Sequence, residues 1–250
     1  MPISSLTEAS AYLSQRADTV AALHAKLRQH HLILVCYDIE HSEILAYSMK
    51  VRGTPGSGKT ALTRLLAAHI RRQDSSVKKV LRIYSWAPTA GRGGYDAVLK
   101  SHGWSEKEKT VFIFDEGQMT YDDEGLWNDF LKSIHESKGL RQAIVFASYG
   151  SPTSRILIKG NIPMDLPEHQ RVTLRHVAHG DGLGPAGLLF TRSEFNDLVN
   201  SYYRSPDEDF YFDQSFFDAI FEITNGHVGA ITDFIEIIVA DDVSPFLLKG

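Results

Sequence analysis

The sequence predicts an α/β fold in which a mostly parallel β-sheet lies between layers of helices. Up to Gly187, short apolar runs alternate with segments of helical periodicity, which is the pattern of βαβ units. A glycine-rich loop opens one of these helices, and two adjacent carboxylates end one of the apolar runs. Beyond Gly187 the alternation stops and the remaining apolar segments have helical spacing.

The composition is typical of a medium-sized soluble domain of 250 residues, with 43% hydrophobic and 23% charged residues. A net charge of −5 without a dense basic stripe gives no strong signal for nucleic-acid binding. The single cysteine, Cys36, excludes an internal disulfide and a cysteine-rich zinc site. Because the chain has no signal-peptide core and no membrane-spanning run, we expect an intracellular protein without a membrane partner, cytoplasmic by default, with a nuclear location also open.

Residues 1–30 form the predicted N-terminal helical segment. Ser5-Leu6-Thr7-Glu8 has the pattern of a capping box, which favours a helix start. Apolar residues then recur every seven positions, at Leu6, Leu13, Val20 and Leu27. One or two helices packed on the edge of the domain account for this spacing. A coiled-coil dimer is less favoured, because Arg16 and small residues occupy the intervening core positions.

Residues 31–52 present a conflict. The run His31–Val35 resembles the buried strand that normally leads into a phosphate loop, but the loop begins only at Gly53. Residues 46–52, which directly precede the loop, alternate between apolar and polar. Deleting residues 36–51 would join the apolar run to the loop, so this segment is either a retained intron or recent insertion, or a genuine hairpin or extra strand.

A complete phosphate-binding loop spans Gly53-Thr54-Pro55-Gly56-Ser57-Gly58-Lys59-Thr60 and is followed by Ala61. Its glycines allow backbone N–H groups to turn toward phosphate oxygens. Lys59 supplies a positive charge for the β- and γ-phosphates, and the Thr60 hydroxyl is a candidate Mg²⁺ ligand. Apolar residues at 62, 65, 66 and 70 predict that the loop opens a helix, whose N-terminus also favours phosphate.

A second motif follows at Thr110–Glu116, where an apolar run ends in two carboxylates. Continuous apolarity predicts a central strand that is buried on both faces. Asp115 at its tip is a candidate residue for holding Mg²⁺, and Glu116 for activating the attacking water. Together with the loop, the Asp-Glu pair predicts a nucleotide hydrolase.

Further apolar runs predict strands at 80–86, 143–148 and 171–174. Glycines at 91, 93 and 94 predict a loop after the first of these, and residues 125–134 have the periodicity of an amphipathic helix. Ser148 ends its strand as Asp115 ends its own. Both residues are therefore expected at the carboxyl edge of the sheet, where open α/β sheets bind ligands.

We assign residues 31–187 to the core and residues 188–250 to a helical lid. The lid is predicted to hold one helix capped by Ser193 and extending to Tyr203, with two more at 216–223 and 230–239. Gly226-His227-Val228-Gly229 forms the turn between the last two helices. From this turn, His227 either reaches the nucleotide or fills the helix junction.

The order of these motifs resembles the AAA+ and STAND-type P-loop ATPases. More narrowly, three stretches are similar to fungal P-loop ATPase modules found in proteins related to Crinkler effectors and retrotransposon-hot-spot proteins: 114–118, 126–130 and 148–152. The resemblance implies a three-layer P-loop NTPase core with a C-terminal helical lid, and Ser148 as the polar sensor of the γ-phosphate. The turn at 226–229 is similar to the Gly-x-Pro lid motif of STAND ATPases, with Val228 in place of proline.

The leading hypothesis is Mg²⁺-dependent binding and hydrolysis of ATP to ADP as a conformational switch or assembly signal. Lys59, Glu116 and Ser148 are then catalytic. Arg155 is the favoured candidate for the arginine that stabilises charge on the γ-phosphate, ahead of Arg171 and Arg175. The alternatives are a nucleotide-binding interaction module with little or no turnover, or a small-molecule kinase. A homo-oligomer or another protein partner is compatible with either reading.

Overall fold

The computed structural model describes residues 14–36, 56–86, 94–148, 166–178, 180–202 and 213–240. These residues fall into two compact units. The larger unit contains the described residues of 18–55 and 59–188, and the smaller contains those of 1–17, 56–58 and 189–250. The capping box at 5–8 and most of the segment 36–51 lie outside the described residues, as do residues 46–52.

The larger unit is built on a five-stranded parallel sheet, which confirms the predicted α/β class and the parallel sheet. The strands are β1 (Leu32–Val35), β2 (Lys79–Ile83), β3 (Thr110–Phe114), β4 (Arg141–Phe146) and β5 (Arg171–Val172). Their order in the sheet is β2-β3-β4-β1-β5. The run 32–35 is a fully buried strand, as its continuous apolarity predicts, and it lies between β4 and β5.

Both faces of the sheet are covered, which gives the larger unit three layers. Helices α1 (Ala17–His30) and α2 (Lys59–Gln73) pack aliphatic side chains such as Leu27 and Leu66 on one face. The opposite face carries an aromatic cluster that includes Trp104, Phe112, Trp127 and Phe130. Phe130 lies edge-on to Phe112, with ring centroids 5.0 Å apart.

Two elements on the aromatic face differ from the sequence-based expectation. Helix α3 (Gly94–Ser101) begins where the glycines predicted a loop. The predicted amphipathic helix at 125–134 is a π-helical segment, Gly125–Leu131, that continues as a 3-10 helix, Lys132–Ser137. Its buried positions, 126, 127, 130 and 131, keep the apolar face that the amphipathic pattern predicts.

The smaller unit contains helices α4 (Arg192–Tyr202), α5 (Gln214–Thr224) and α6 (Val228–Ala240) around a core with Phe195, Phe217 and Ile231. The prediction that Ser193 caps α4 was wrong. The Thr191 hydroxyl accepts the Glu194 amide at 3.1 Å, and the Glu194 carboxylate accepts the Thr191 amide at 3.1 Å. This reciprocal pair is a capping box and places the helix start at Arg192.

No helix among the described residues is long and apolar enough to cross a membrane.

Candidate functional site

The carboxyl edge of the sheet collects the residues of the Asp-Glu motif and the end of β4. Strands β3 and β4 are parallel neighbours in which Phe114 pairs with Val145. Asp115 follows one strand and Ser148 the other, so both lie at the same edge, as the sequence predicted. The Asp115 amide donates to the Ile83 carbonyl at 2.8 Å, which connects the residue after β3 to the end of β2.

The described part of the predicted phosphate loop consists of Gly56, Ser57 and Gly58, which lead directly into α2 at Lys59. Gly56 and Gly58 have φ values of 83° and 74°, the left-handed region that glycine adopts without strain. This conformation is the physical reason for glycine at these positions of the motif. Gly53, Thr54 and Pro55 lie outside the described residues, whereas Ala61 is half-buried in the first turn of α2.

Asp115 is a buried carboxylate, only 6% exposed, that contacts the first turn of α2. The Thr60 hydroxyl donates to Asp115 Oδ1 at 3.3 Å, although these residues are 55 positions apart in sequence. The Thr63 hydroxyl lies 3.5 Å from Asp115 Oδ2. Sequence reasoning did not identify Thr63, but its place three residues after Thr60, on the same face of the helix, is a usable signal.

Lys59 lies close enough to both carboxylates of the motif for their charges to affect it. Burial lowers the pKa of the Lys59 amine, and the charges of Glu116 and Asp115 act in the opposite direction to favour the ammonium form. The larger unit therefore places a cation and two anions at the same edge of the sheet. This arrangement suits a ligand that is anionic and carries a metal ion, because the cation attracts the ligand and the anions attract the metal ion.

Glu116 and Ser148 are connected through Gln118. The Gln118 side-chain amide Nε2 donates to Glu116 Oε2, and Gln118 Oε1 accepts the Ser148 amide at 2.9 Å. Glu116 itself has a left-handed backbone, with φ 57° and ψ 43°. The sequence did not assign a role to Gln118, and no motif rule would have, because the contact depends on this backbone conformation.

The oxygen atoms around Asp115 fit Mg²⁺ better than a softer metal. The two carboxylates and the Thr60 hydroxyl are hard oxygen donors, the type that Mg²⁺ prefers. The described residues contain no group of three or more His, Cys, Asp or Glu side chains arranged for a metal ion. In nucleotide sites, Mg²⁺ is usually held by one or two carboxylates together with the substrate phosphates, so a smaller protein donor set is sufficient.

Within the smaller unit, the start of α6 packs against Gly56 and Gly58. A Cβ atom added to Gly229 would lie 2.8 Å from the Gly56 carbonyl oxygen, and one added to Gly58 would lie 3.4 Å from a Val228 methyl. His227 Nδ1 accepts the Ala230 amide at 3.1 Å, so His227 caps the start of α6. This observation supports a structural role for His227, and a role in nucleotide binding stays a prediction.

The arginine candidates are only partly described. Arg155 lies outside the described residues. Arg171 donates its Nε to the Leu166 carbonyl at 2.7 Å, which gives it a structural partner next to β5. Sequence reasoning passed over Arg82 of β2. Burial and the neighbouring charge of Arg64 lower the pKa of Arg82, while the charge of Asp115 acts to raise it.

Comparison with protein-family models finds no match for this chain, and comparison with curated proteins finds none either.

Proposed function

We propose that this protein binds ATP with Mg²⁺ and hydrolyses it to ADP and inorganic phosphate, as a P-loop ATPase of the AAA+/STAND-like class. The observation that carries the proposal is the hydrogen bond from the Thr60 hydroxyl to Asp115. It brings together the two halves of a nucleotide site that the sequence predicts separately, the phosphate loop and the Asp-Glu strand. A chance glycine-rich turn would have no reason to meet a buried carboxylate at the tip of a parallel strand.

The strand order also supports the proposal. Strand β4 lies between β1 and β3, so Ser148 at its end is next to the Asp-Glu motif. Crevices outside the carboxyl ends of parallel strands are the usual ligand sites of open α/β sheets. The candidate catalytic groups Lys59, Glu116 and Ser148 all belong to this edge.

Each residue has a role that follows from its chemistry. Lys59 offsets phosphate charge, and Asp115 and Thr60 hold Mg²⁺, which neutralises charge on the β- and γ-phosphates when it is bound. Glu116 accepts a proton from water as the water oxygen attacks the γ-phosphorus. The bond from that phosphorus to the β–γ bridging oxygen breaks, and its electron pair leaves with ADP.

The test is phosphate release from ATP by the purified protein, with Mg²⁺ and with EDTA, beside GTP as an alternative substrate. We expect Mg²⁺-dependent release of one phosphate for each ADP formed, with ATP preferred. Tight ATP binding without ADP formation would instead identify a nucleotide-binding module. ADP formation without free phosphate would identify transfer to an acceptor, as in a kinase.

A further inference from the structure

The Asp-Glu motif is followed by a side chain that touches both Glu116 and the end of β4. Gln118 is half-buried and bridges the Glu116 carboxylate and the Ser148 backbone amide. A backbone N–H can only donate and an ionised carboxylate can only accept, so the side-chain amide has one satisfying orientation. Its oxygen faces Ser148 and its nitrogen faces Glu116.

This bridge depends on the left-handed backbone of Glu116. In a continuous helix, side chains two residues apart do not face each other. The φ of 57° at Glu116 reverses the chain after β3, and the 3-10 turn Gly117–Thr120 then returns Gln118 toward Glu116. A left-handed conformation is unfavourable for a residue with a side chain and is retained where the surrounding structure imposes it, often at functional sites.

Gly117 shows how closely this turn packs on β4. A Cβ atom at Gly117 would lie 2.2 Å from a Val145 methyl and 3.1 Å from the Phe146 carbonyl oxygen. No residue other than glycine fits that space. The turn is therefore held closely against β4, the strand that precedes Ser148. Because Gln118 belongs to this turn, its position is fixed as well.

We infer that Gln118 is a positioning residue, which holds the Glu116 carboxylate in a defined place relative to the end of β4 at Ser148. One carboxylate oxygen is occupied by the Gln118 amide, which leaves the other to accept a proton from water. A general base must lie within hydrogen-bond reach of its proton, and a displacement of about 1 Å can lower a rate by about a hundredfold. This inference rests on the proposed ATPase function.

The test compares Gln118→Met with the parent protein. Methionine has nearly the same length as glutamine but cannot form either hydrogen bond. We expect kcat for ATP hydrolysis to fall by about 10- to 100-fold, with ATP affinity and the thermal midpoint close to the parental values. Met119→Ala is the matched control, because Met119 is the adjacent residue and is 58% exposed. It should retain the parental kcat.

Two further variants test whether the effect passes through Glu116. Gln118→Glu keeps an acceptor for the Ser148 amide but, when ionised, no longer donates to Glu116, so its kcat should fall as in Gln118→Met. In a Glu116→Gln background, Gln118→Met should cause no further loss, because its effect passes through Glu116.

Three results would overturn the inference: a parental kcat in Gln118→Met, a parental kcat in Gln118→Glu, or a full additional loss in the double variant. If the parent hydrolyses ATP and Glu116→Gln stops it, any of these results removes only the role of Gln118. If the parent protein has no turnover, the proposed function and this inference both fail.

Discussion

Lys59 lies near the two carboxylates of the Asp-Glu motif. Burial lowers the pKa of its amine, and Glu116 and Asp115 oppose that effect. A bound triphosphate would add negative charge around the same ammonium group. Because a triphosphate would interact with this ammonium group directly, we expect Lys59 to contribute to nucleotide affinity more than to the stability of the fold.

Lys59→Ala should lower ATP affinity by at least about tenfold, since a hydrogen bond to a charged group contributes about 1.5–3 kcal/mol. Isothermal titration calorimetry measures the affinity, and circular dichroism measures the fold. The matched control is Lys107→Ala, which removes an exposed lysine of the same unit. Equal ATP affinity in Lys59→Ala and in the parent would remove Lys59 from the site.

Asp115→Asn should weaken the Mg²⁺-dependent part of ATP binding and leave metal-independent binding nearly unchanged. The substitution removes the charge but keeps an oxygen that can accept from Thr60 and Thr63. Mg²⁺ titrations at fixed ATP measure the effect, with Asp122→Asn as the control because Asp122 is exposed in the following turn. Superimposable metal titrations for the two variants would contradict the assignment of Asp115.

At the scale of residues, the motif patterns predicted which side chains meet but not what holds them. The contact between Thr60 and Asp115 agrees with the motifs. The phosphate-loop pattern predicts Thr60 at the start of a helix, and the apolar run predicts Asp115 at the tip of a strand. Gln118 could not be predicted in the same way, because its contacts depend on the left-handed backbone of Glu116. No pattern in a single sequence predicts that a glutamate adopts this conformation.

Helix α6 begins at the phosphate-loop glycines because the residues on both sides lack bulky side chains there. The Gly229 and Gly56 backbones approach so closely that a Cβ atom on Gly229 would lie 2.8 Å from the Gly56 carbonyl oxygen and 3.0 Å from its Cα. Both neighbours are backbone atoms, which cannot rotate away as a flexible side chain can. Any substitution at Gly229 must therefore displace one of the two segments.

Gly229→Ala should weaken ATP binding, because it moves the Gly56 backbone within the phosphate loop. Overpacking of this kind typically costs about 1–3 kcal/mol, which corresponds to an affinity loss of about 5- to 150-fold if it falls on binding. Gly184→Ala is the control, since a Cβ there meets only the Ala22 side chain at 3.7 Å. Unchanged affinity in Gly229→Ala would show that this contact does not shape the loop.

At the scale of elements, apolar runs predicted the strands well and glycines misled the prediction of helices. Each of the five strands overlaps a predicted run, with ends that differ by a few residues. The glycines at 91, 93 and 94 predict a loop, but Gly94, with φ 59°, is the first residue of α3. The segment 125–131 has the expected buried face, and only its wider π-helical turn escaped prediction, since periodicity does not separate 3.6 from about four residues per turn over so short a segment.

The larger unit also depends on a buried ion pair that the sequence did not reveal. Lys26 of α1 is fully buried, and its Nζ lies 2.7 Å from Asp181 Oδ2. Burial alone would raise the pKa of Asp181, but hydrogen bonds from Lys26 and the Leu183 amide, with the Lys26 charge, outweigh it and lower the pKa to about 2. The pair joins α1 to the turn that follows Gly180.

The depressed pKa of Asp181 makes stability depend on pH in a defined window. The contribution is present above the ordinary aspartate value of 3.8 and is lost as pH falls toward 2, because the unfolded chain binds the proton first. Asp181→Asn should lower the free energy of unfolding at pH 7 by about 3 kcal/mol, since it leaves the Lys26 charge buried without its partner. It should also flatten the loss of stability between pH 4 and 2.

Chemical denaturation at a series of pH values measures both effects. Asp122→Asn, which changes an exposed aspartate, should keep the parental stability and the parental slope. A parental slope in Asp181→Asn would mean that other carboxylates account for the acid sensitivity of the protein.

At the scale of the whole molecule, the alternation of runs and helices predicted a parallel α/β sheet, and the structure has one. The order of the strands was not predictable in full, because strand pairing depends on long-range packing that a local pattern does not record. The connection between β1 and the phosphate loop falls outside the described residues. Whether residues 36–51 are an insertion therefore stays a hypothesis.

Under the proposed function, Glu116 activates water for hydrolysis of ATP bound at Lys59 and Asp115. The most direct measurement is the amount of ATP bound and the rate of phosphate release, determined together for Glu116→Gln and for Glu124→Gln. Glu124 is an exposed glutamate at the start of the π-helical segment that follows the same motif, so its variant is a matched control. Both variants change one carboxylate to an amide of the same shape.

We predict that Glu116→Gln binds ATP and Mg²⁺ as the parent does but releases phosphate at least about a hundredfold more slowly, the lower range for a general base. Glu124→Gln should match the parent in both measurements. Phosphate release at the parental rate by Glu116→Gln would contradict the role of Glu116 as the general base, and a parent protein without Mg²⁺-dependent release would contradict the ATPase function.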